Sequence, residues 1–384
     1  MAALRSERVV LMIRWATVTD VTGEGVWVTS SWLQGRTGPL PVVGSPSVGD
    51  PVLMVRTDEG ELTAIHSGAA PVVTWKGGSV VPWNYGEYAD LDEILEFIAD
   101  LGTNVVTIPV AVSATSLTDS EPAVDLDRLA WAQTIAAALP ANVRVIAEPY
   151  PFIDSGNLSE TLWNPSNVTT WFEHWTAACV TVAEAFPDAV MVYIGSNLAL
   201  LEAGHDDAWL GVLAAVKAVT NAEVSYRCNW WFEDARLDAL CEWDFLRAVD
   251  VVSVAAYFEL TETPSPAYDE VRTALDSTLI RGQSIVGDVT RLHEATGRPI
   301  FFGELVCSHW NSALSAPWNP DVGTAPRTAD PMVQARMYRA YVDAFAGFGW
   351  WRGFSVYGLA GFDDSGYTLE TPAKTYLRSV KGLT

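Results

Sequence analysis

Past residue 71 the chain alternates short apolar runs with amphipathic stretches. The runs are VVTWKG, NVVTIPV, VRVIAEPY, AVMVYIGS, EVSYRCNW, DVVSVAAYF, PIFFGEL and GFSVYGL. Continuous apolar runs of this length predict strands buried on both faces, as in a parallel sheet. The intervening segments, such as LDEILEFIADLG and LAWAQTIAAALP, carry helical periodicity, and Gly102 and Pro140 are placed to stop those two helices. Eight strand–helix repeats in about 310 residues predict an α/β fold, a (β/α)8 TIM barrel over 72–384. Ahead of it the rhythm differs. VVLMIRWATVTDVT, GVWVTSSWL, LPVV and PVLMVRTDEGELTAIH read as five short strands, with turns at Thr22-Gly23-Glu24-Gly25 and Asp58-Glu59-Gly60. They predict a small all-β, OB-like domain over 1–67, with Ser67-Gly68-Ala69-Ala70-Pro71 as the linker.

Composition narrows the function. A net charge of −24 disfavours nucleic acid and anionic membrane as partners, and no run of about 18 uncharged apolar residues predicts a membrane span. Cys179, Cys228, Cys241 and Cys307 form no CxxC pair and the five His no HExxH, so neither metal nor cofactor is expected. The segment MAALRSERVVLMIRW lacks the h-region and cleavage site of a secretory signal. The 17 Trp mostly predict core, although an indole face also suits the apolar face of a sugar ring.

In a barrel of this kind chemistry gathers at the C-terminal strand ends. Those ends read Trp75-Lys76, Glu148, Asn197, Asn229-Trp230, Tyr257-Phe258-Glu259, Glu304 and Tyr357, a concentration of carboxyl, amide and aromatic groups.

From Trp75 to about Arg378 these segments resemble the mannanase-like (β/α)8 glycoside hydrolases, of the clan with catalytic Glu on strands four and seven. WKGGSVVPWNYGEY is similar to that family's first strand and loop, VSYRCNWW to its fifth strand, VDVVSVAAYFEL to its sixth, RPIFFGELVCSHW to its seventh and GYTLETPAKTYLRSV to its closing helix. The resemblance implies Glu304 as nucleophile. It implies a glycan groove lined by Trp75, Trp83, Asn229, Trp230, Tyr257 and Tyr357. The chain departs from the family on strand four, where Ile194-Gly195-Ser196-Asn197 puts Asn197 in the place of the acid/base Glu. Strand eight carries Tyr357 for a Trp, and strand six carries Glu259 where Pro is frequent. An amide cannot supply a proton as a carboxylic acid does, and retaining hydrolysis needs two carboxyl groups. Glu148 and Glu259 are the candidates to replace it. Each could equally be a loop-bonding carboxylate, and Glu304 a leftover paired with Tyr257 or an Arg.

Three readings follow, the third a purely architectural barrel with no ligand. In the first, the N-terminal domain resembles the OB-like docking domains of bacteriophage tail and baseplate proteins. The chain is then a homo-oligomeric tail-tip protein of the virion, whose degenerate barrel contacts cell-envelope glycan. Trp15, Trp27 and Trp32 would supply its docking surface. In the second, it is an active retaining, endo-acting glycosidase with a relocated acid/base, on a virion, cytoplasmic or exported without a recognisable signal.

Overall fold

The computed structural model describes residues 71–80, 91–319, 328–359 and 366–383, together with the backbone of six strands between residues 10 and 66. Two compact units are present, one of residues 73–374 with 382–384 and one of residues 1–72 with 375–381.

The larger unit holds eight parallel strands: β1 (Trp75–Val80), β2 (Val105–Ala114), β3 (Arg144–Ile153), β4 (Met191–Ser196), β5 (Glu223–Cys228), β6 (Val251–Ala255), β7 (Ile300–Leu305) and β8 (Trp351–Leu359). Neighbours pair in that order, and β8 pairs with β1 to close the barrel. The closed parallel ring predicted from the apolar runs is therefore present. The helices are α1 (Leu91–Leu101), α2 (Leu126–Ala138), α3 (Val168–Ala185), α4 (Asp206–Lys217), α5 (Asp234–Glu242), α6 (Tyr268–Asp276), α7 (Ile285–Thr296), α8 (Pro331–Phe345) and α9 (Thr371–Ser379). Local chemistry sets their limits. α1 buries Ile94, Ile98 and Leu101 on one stripe and stops at Gly102, whose φ of 62° is cheap only without a Cβ. Asp125 and Asn167 cap α2 and α3 by accepting from the backbone N–H groups of Arg128 and Thr170.

Trp75, Val105, Met191 and Val251 are each at or next to the first residue of their strand. They pack with Ile146, Tyr193 and Phe301 into one buried cluster, with Trp75 edge-on to Phe301 at 5.3 Å. This is the N-terminal floor of the barrel. Trp75 thus opens β1 rather than ending it, and it is a core residue rather than part of a glycan groove. The apolar run VVTW continues into WKGGSV, so the strand proper lies further along than the run suggests.

Above the floor the interior is deliberately small. Ser79 bonds Ser355 at 3.0 Å and Ser225 bonds Ser253 at 2.9 Å. A Cβ on Gly303 would lie 2.4 Å from the Tyr193 hydroxyl and 3.0 Å from Cδ of Arg227. The missing side chain at 303 leaves room for the long Arg227 side chain in the centre of the barrel. All four Cys are free and buried.

Between residues 10 and 66 the described residues form six strands, where five were expected: Val10–Thr22, Gly25–Thr29, Thr37–Leu40, Val42–Val43, Pro51–Thr57 and Leu62–His66. The first and second strands pair antiparallel up to Thr22 opposite Gly25. The fifth and sixth pair antiparallel across the predicted Asp58–Gly60 turn, whose own residues lie outside the described set. Val42–Val43 pairs parallel with the last strand. Trp15 and Trp27 lie on these strands, while Trp32 and the predicted linker residues 67–70 lie outside the described residues.

Gly353, on β8, has a φ of 115°, and a Cβ there would lie 2.0 Å from the Trp75 carbonyl oxygen. This close approach forms part of the β8–β1 seam. Gly353→Ala should therefore cost about 3 kcal/mol from backbone strain and overpacking together. Urea unfolding of the two proteins measures it, and an unchanged midpoint would show that the seam tolerates a side chain.

Candidate active site

One buried cation organises the centre of the barrel. Arg227, on β5, is 1% exposed. Its Nη2 lies 2.5 Å from Oε1 of Glu148 and 2.9 Å from Oε1 of Glu304, and its Nη1 donates to Oε2 of Glu148 at 3.3 Å. The planar guanidinium fork suits this task, since it presents fixed donors to two acceptors at once. The charges do not balance: one arginine faces two carboxylates. Burial pushes the Glu148 carboxyl up to about 7, with Arg227 opposing the shift and the charge of Glu304 adding to it. Burial also works against the charge on Arg227, but Glu148 and Glu304 more than offset it, and its pKa stands well above the ordinary value.

Glu148 is not at the strand end where the sequence reading put it. β3 continues five residues further, to Ile153, and stays in register with β2 from Arg144 opposite Val105 to Ile153 opposite Ala114. Glu148 is consequently mid-strand, 2% exposed, with both oxygens held by Arg227.

Glu304, next to last in β7, is near the C-terminal strand ends and 6% exposed. Besides Arg227 it takes a hydrogen bond from the hydroxyl of Tyr257, which follows β6. Burial, Glu304 and Tyr357 together hold the Tyr257 hydroxyl neutral, well above the ordinary phenol value. Of the two partners weighed as alternatives for Glu304, Tyr257 or an arginine, the structure brings both to it.

Tyr257 also begins an aromatic wall. Its ring lies 5.4 Å from that of Trp230, which follows β5, and Trp230 stacks on Trp318 at 5.1 Å with 21° between planes. Tyr357, on β8, meets Tyr367 edge-on at 6.1 Å, and Trp230, Trp318 and Tyr357 all pack on the cluster of Ala255, Tyr257, Val306 and Tyr367. Gln334 on α8 ties the loops together by donating to the carbonyls of Cys307 and Thr368. Trp318 and Tyr367 were not legible as site residues, because they sit in loops after β7 and β8 with no strand-end pattern around them. Asn229 turns its Oδ1 to the backbone N–H of Trp230, at 3.0 Å. Trp83 lies outside the described residues.

The end of β4 departs most from a two-carboxyl site. Asn197 has a φ of 55°, a left-handed conformation that Asn accepts more readily than most residues. Its backbone N–H donates to the carbonyl of Arg227 at 2.9 Å, and its Nδ2 donates to Oε1 of Glu160 at 3.2 Å. Glu160 opens a 3-10 turn, Glu160–Leu162, in the loop after β3. The turn is pinned by Trp163, which is fully buried, edge-on to Trp171 and Trp175 at 5.3 and 6.0 Å, and donates its indole N–H to the carbonyl of Asp119. Glu160 is partly exposed along its length, with its carboxyl turned to the Asn197 amide. Burial raises that carboxyl's pKa. The backbone N–H of its own residue and the Asn197 amide oppose the rise, and the charge of Glu304 adds to it. Sequence reading did not find Glu160. Glu259 is elsewhere: its Oε2 accepts from Nε of Arg281 at 2.7 Å, and Arg281 in turn covers the ring of Phe232.

Removing the shared cation would strip the Glu148 carboxyl of its partner and leave Glu304 held by the Tyr257 hydroxyl. Arg227→Met should cost about 3–5 kcal/mol near neutral pH. The sign with pH follows from the raised Glu148 value. A folded pKa above the unfolded one contributes stability below the unfolded value and loses it as pH rises through the folded one. The variant's deficit should therefore be small near pH 4 and grow through pH 7 to 8. Thermal unfolding across that range measures it, and a deficit that shrinks with rising pH would contradict the ion-pair account.

The family model described as Glycoside Hydrolase Family 113 matches residues 153–372, a span that contains Glu160, Asn197, Arg227 and Glu304. Among solved structures, a complex of a GH113 β-1,4-mannanase superposes with a TM-score of 0.61 at 16% identity, covering 80% of this chain and 98% of the other. A GH113 β-mannanase from Alicyclobacillus acidocaldarius gives 0.60 at 19% identity, covering 80% and 96%. No match is found among curated proteins. At such identities the structural likeness shows the barrel alone, whereas the family match spans more than half of the sequence: the chain belongs to Glycoside Hydrolase Family 113.

Proposed function

We propose that the protein is a retaining, endo-acting glycoside hydrolase on a β-1,4-mannan-type polysaccharide, with Glu304 as its nucleophile. The observation that carries this reading is the setting of Glu304. It sits near the C-terminal end of β7, held from one side by Arg227 and from another by the Tyr257 hydroxyl, beside a wall built from Trp230, Trp318, Tyr257 and Tyr357. A nucleophilic carboxylate must be fixed in direction before substrate arrives, because alignment during the reaction would cost rate. Aromatic faces supply the matching apolar surface for pyranose rings. The mannanase neighbours support the choice of substrate class.

A second reading keeps the barrel as a glycan-binding element of a virion tail, with the N-terminal unit docking to neighbouring tail proteins. Asn197 is the observation that favours it, since an amide stands where the acid is needed. The hydrolase reading is preferred because the rest of the site retains a positioned carboxylate, and because another carboxyl, Glu160, lies against that same amide.

Incubation with β-1,4-mannan, with cellulose and xylan as controls, tests the proposal by the oligosaccharides released. Release from mannan should fall at least ~10³-fold in Glu304→Gln. Trp230→Ala should raise KM for mannan roughly 2–12-fold, the worth of one aromatic contact. Mannan bound without any product would support the binding-only reading instead.

A further inference from the structure

Resting on the hydrolase reading above, we propose that Glu160 is the acid/base of this site, supplied by the loop after β3 to replace the carboxyl that Asn197 lacks. Four observations point to it. Asn197, at the end of β4, reaches Glu160 directly, so the carboxyl lies one hydrogen bond away from the position an acid/base on β4 would occupy. Glu160 and Glu304 belong to one electrostatic group. The charge of Glu304 raises the Glu160 carboxyl, and the hydroxyls of Tyr150 and Tyr357 feel both carboxylates. The turn that carries Glu160 is rigidly seated through Trp163 on α3, as a proton donor must be. The other candidates are engaged: Glu148 has both oxygens on Arg227, and Glu259 is bound by Arg281.

Burial against Asn197, helped by the charge of Glu304, raises the carboxyl's pKa and so favours its protonated form, which a general acid needs before the first step. Asn197 suits a group that cycles between two states. Its NH2 donates to the carboxylate, while its Oδ1, which is buried and has no hydrogen-bond partner among the described residues, would accept from the carboxylic acid after an amide rotation.

The chemistry then balances in two steps. In the first, an oxygen of Glu304 forms a bond to the anomeric carbon as the glycosidic C–O bond breaks, and Glu160 gives its proton to the departing sugar oxygen. In the second, a water oxygen attacks the anomeric carbon and the ester bond to Glu304 breaks. Glu160 takes the proton from that water, and both carboxyl groups return to their starting states. Asn197 is a positioning residue in this scheme.

The test compares wild type, Glu160→Gln, Glu160→Ala, Glu148→Gln and Glu259→Gln on mannan and on 2,4-dinitrophenyl β-mannoside, with and without sodium azide. Circular dichroism establishes that each is folded. Glu160→Gln should lose about 10²–10⁴-fold on mannan, whose leaving group needs a proton. It should keep the first, bond-breaking step on the dinitrophenyl glycoside within about tenfold, because that leaving group departs as an anion. The fall in wild-type activity with rising pH should disappear with the acid. Azide should restore turnover of the activated substrate in Glu160→Ala and yield β-mannosyl azide. Mannan activity of Glu160→Gln within a few-fold of wild type overturns the assignment. So does equal loss on both substrates without azide rescue, which would mark Glu160 as structural, or azide rescue of the Glu148 or Glu259 variant instead. A wild type inactive on both substrates would sink the hydrolase reading itself and this inference with it. Normal wild-type activity beside an unaffected Glu160 variant would sink the inference alone.

Discussion

The site depends on one shared cation. Arg227 reaches both Glu148 and Glu304 from the middle of the barrel, and most of what surrounds it can be understood as making that reach possible. Gly303 clears its path, the Ser225–Ser253 pair keeps the interior beside it small and polar, and Glu148 holds both terminal nitrogens of the guanidinium. An ion pair so deeply enclosed adds little net stability, because taking the charges out of water costs about what their attraction returns. What it supplies is direction: one oxygen of Glu304 is fixed in place.

A division of labour follows along the barrel axis. The floor, from Trp75 to Phe301, is apolar and packed by bulk. The middle carries the unbalanced trio of Glu148, Arg227 and Glu304. The mouth is made by loops, which bring Trp318, Tyr367 and Glu160 to positions no strand supplies. Replacing a strand-borne acid with a loop-borne one is within reach of such a barrel, because the loops at its C-terminal face vary while the strands stay fixed. With Glu160 as the proposed acid, Asn197 is suited both to its left-handed backbone and to its neighbour Glu160.

The barrel was legible because eight buried parallel strands leave eight apolar runs, and amphipathic helices fill the intervals. Glu304, Asn197, Tyr257, Trp230 and Tyr357 were legible as members of strand ends, since a residue just after an apolar run has few other places to be. Trp75 and Glu148 were misplaced for a shared reason. An apolar run marks that a strand exists, but not where its hydrogen-bonded ladder begins or ends. β1 starts at Trp75, and β3 runs on through Pro149 and Pro151 to Ile153. Glu160 left no signal at all. It lies in a short 3-10 turn between polar residues, and its meaning comes from an amide 37 residues further along the chain.

The central claim is that Glu304, fixed by Arg227, is a working nucleophile. An activated 2-deoxy-2-fluoro-β-mannoside tests it most directly, because the fluorine slows breakdown of the covalent glycosyl–enzyme. Peptide mass spectrometry after incubation should find one added fluorosugar, on the peptide that contains Glu304, with activity lost in proportion to labelling. An unlabelled protein, or a sugar carried on any other carboxylate, would contradict the account.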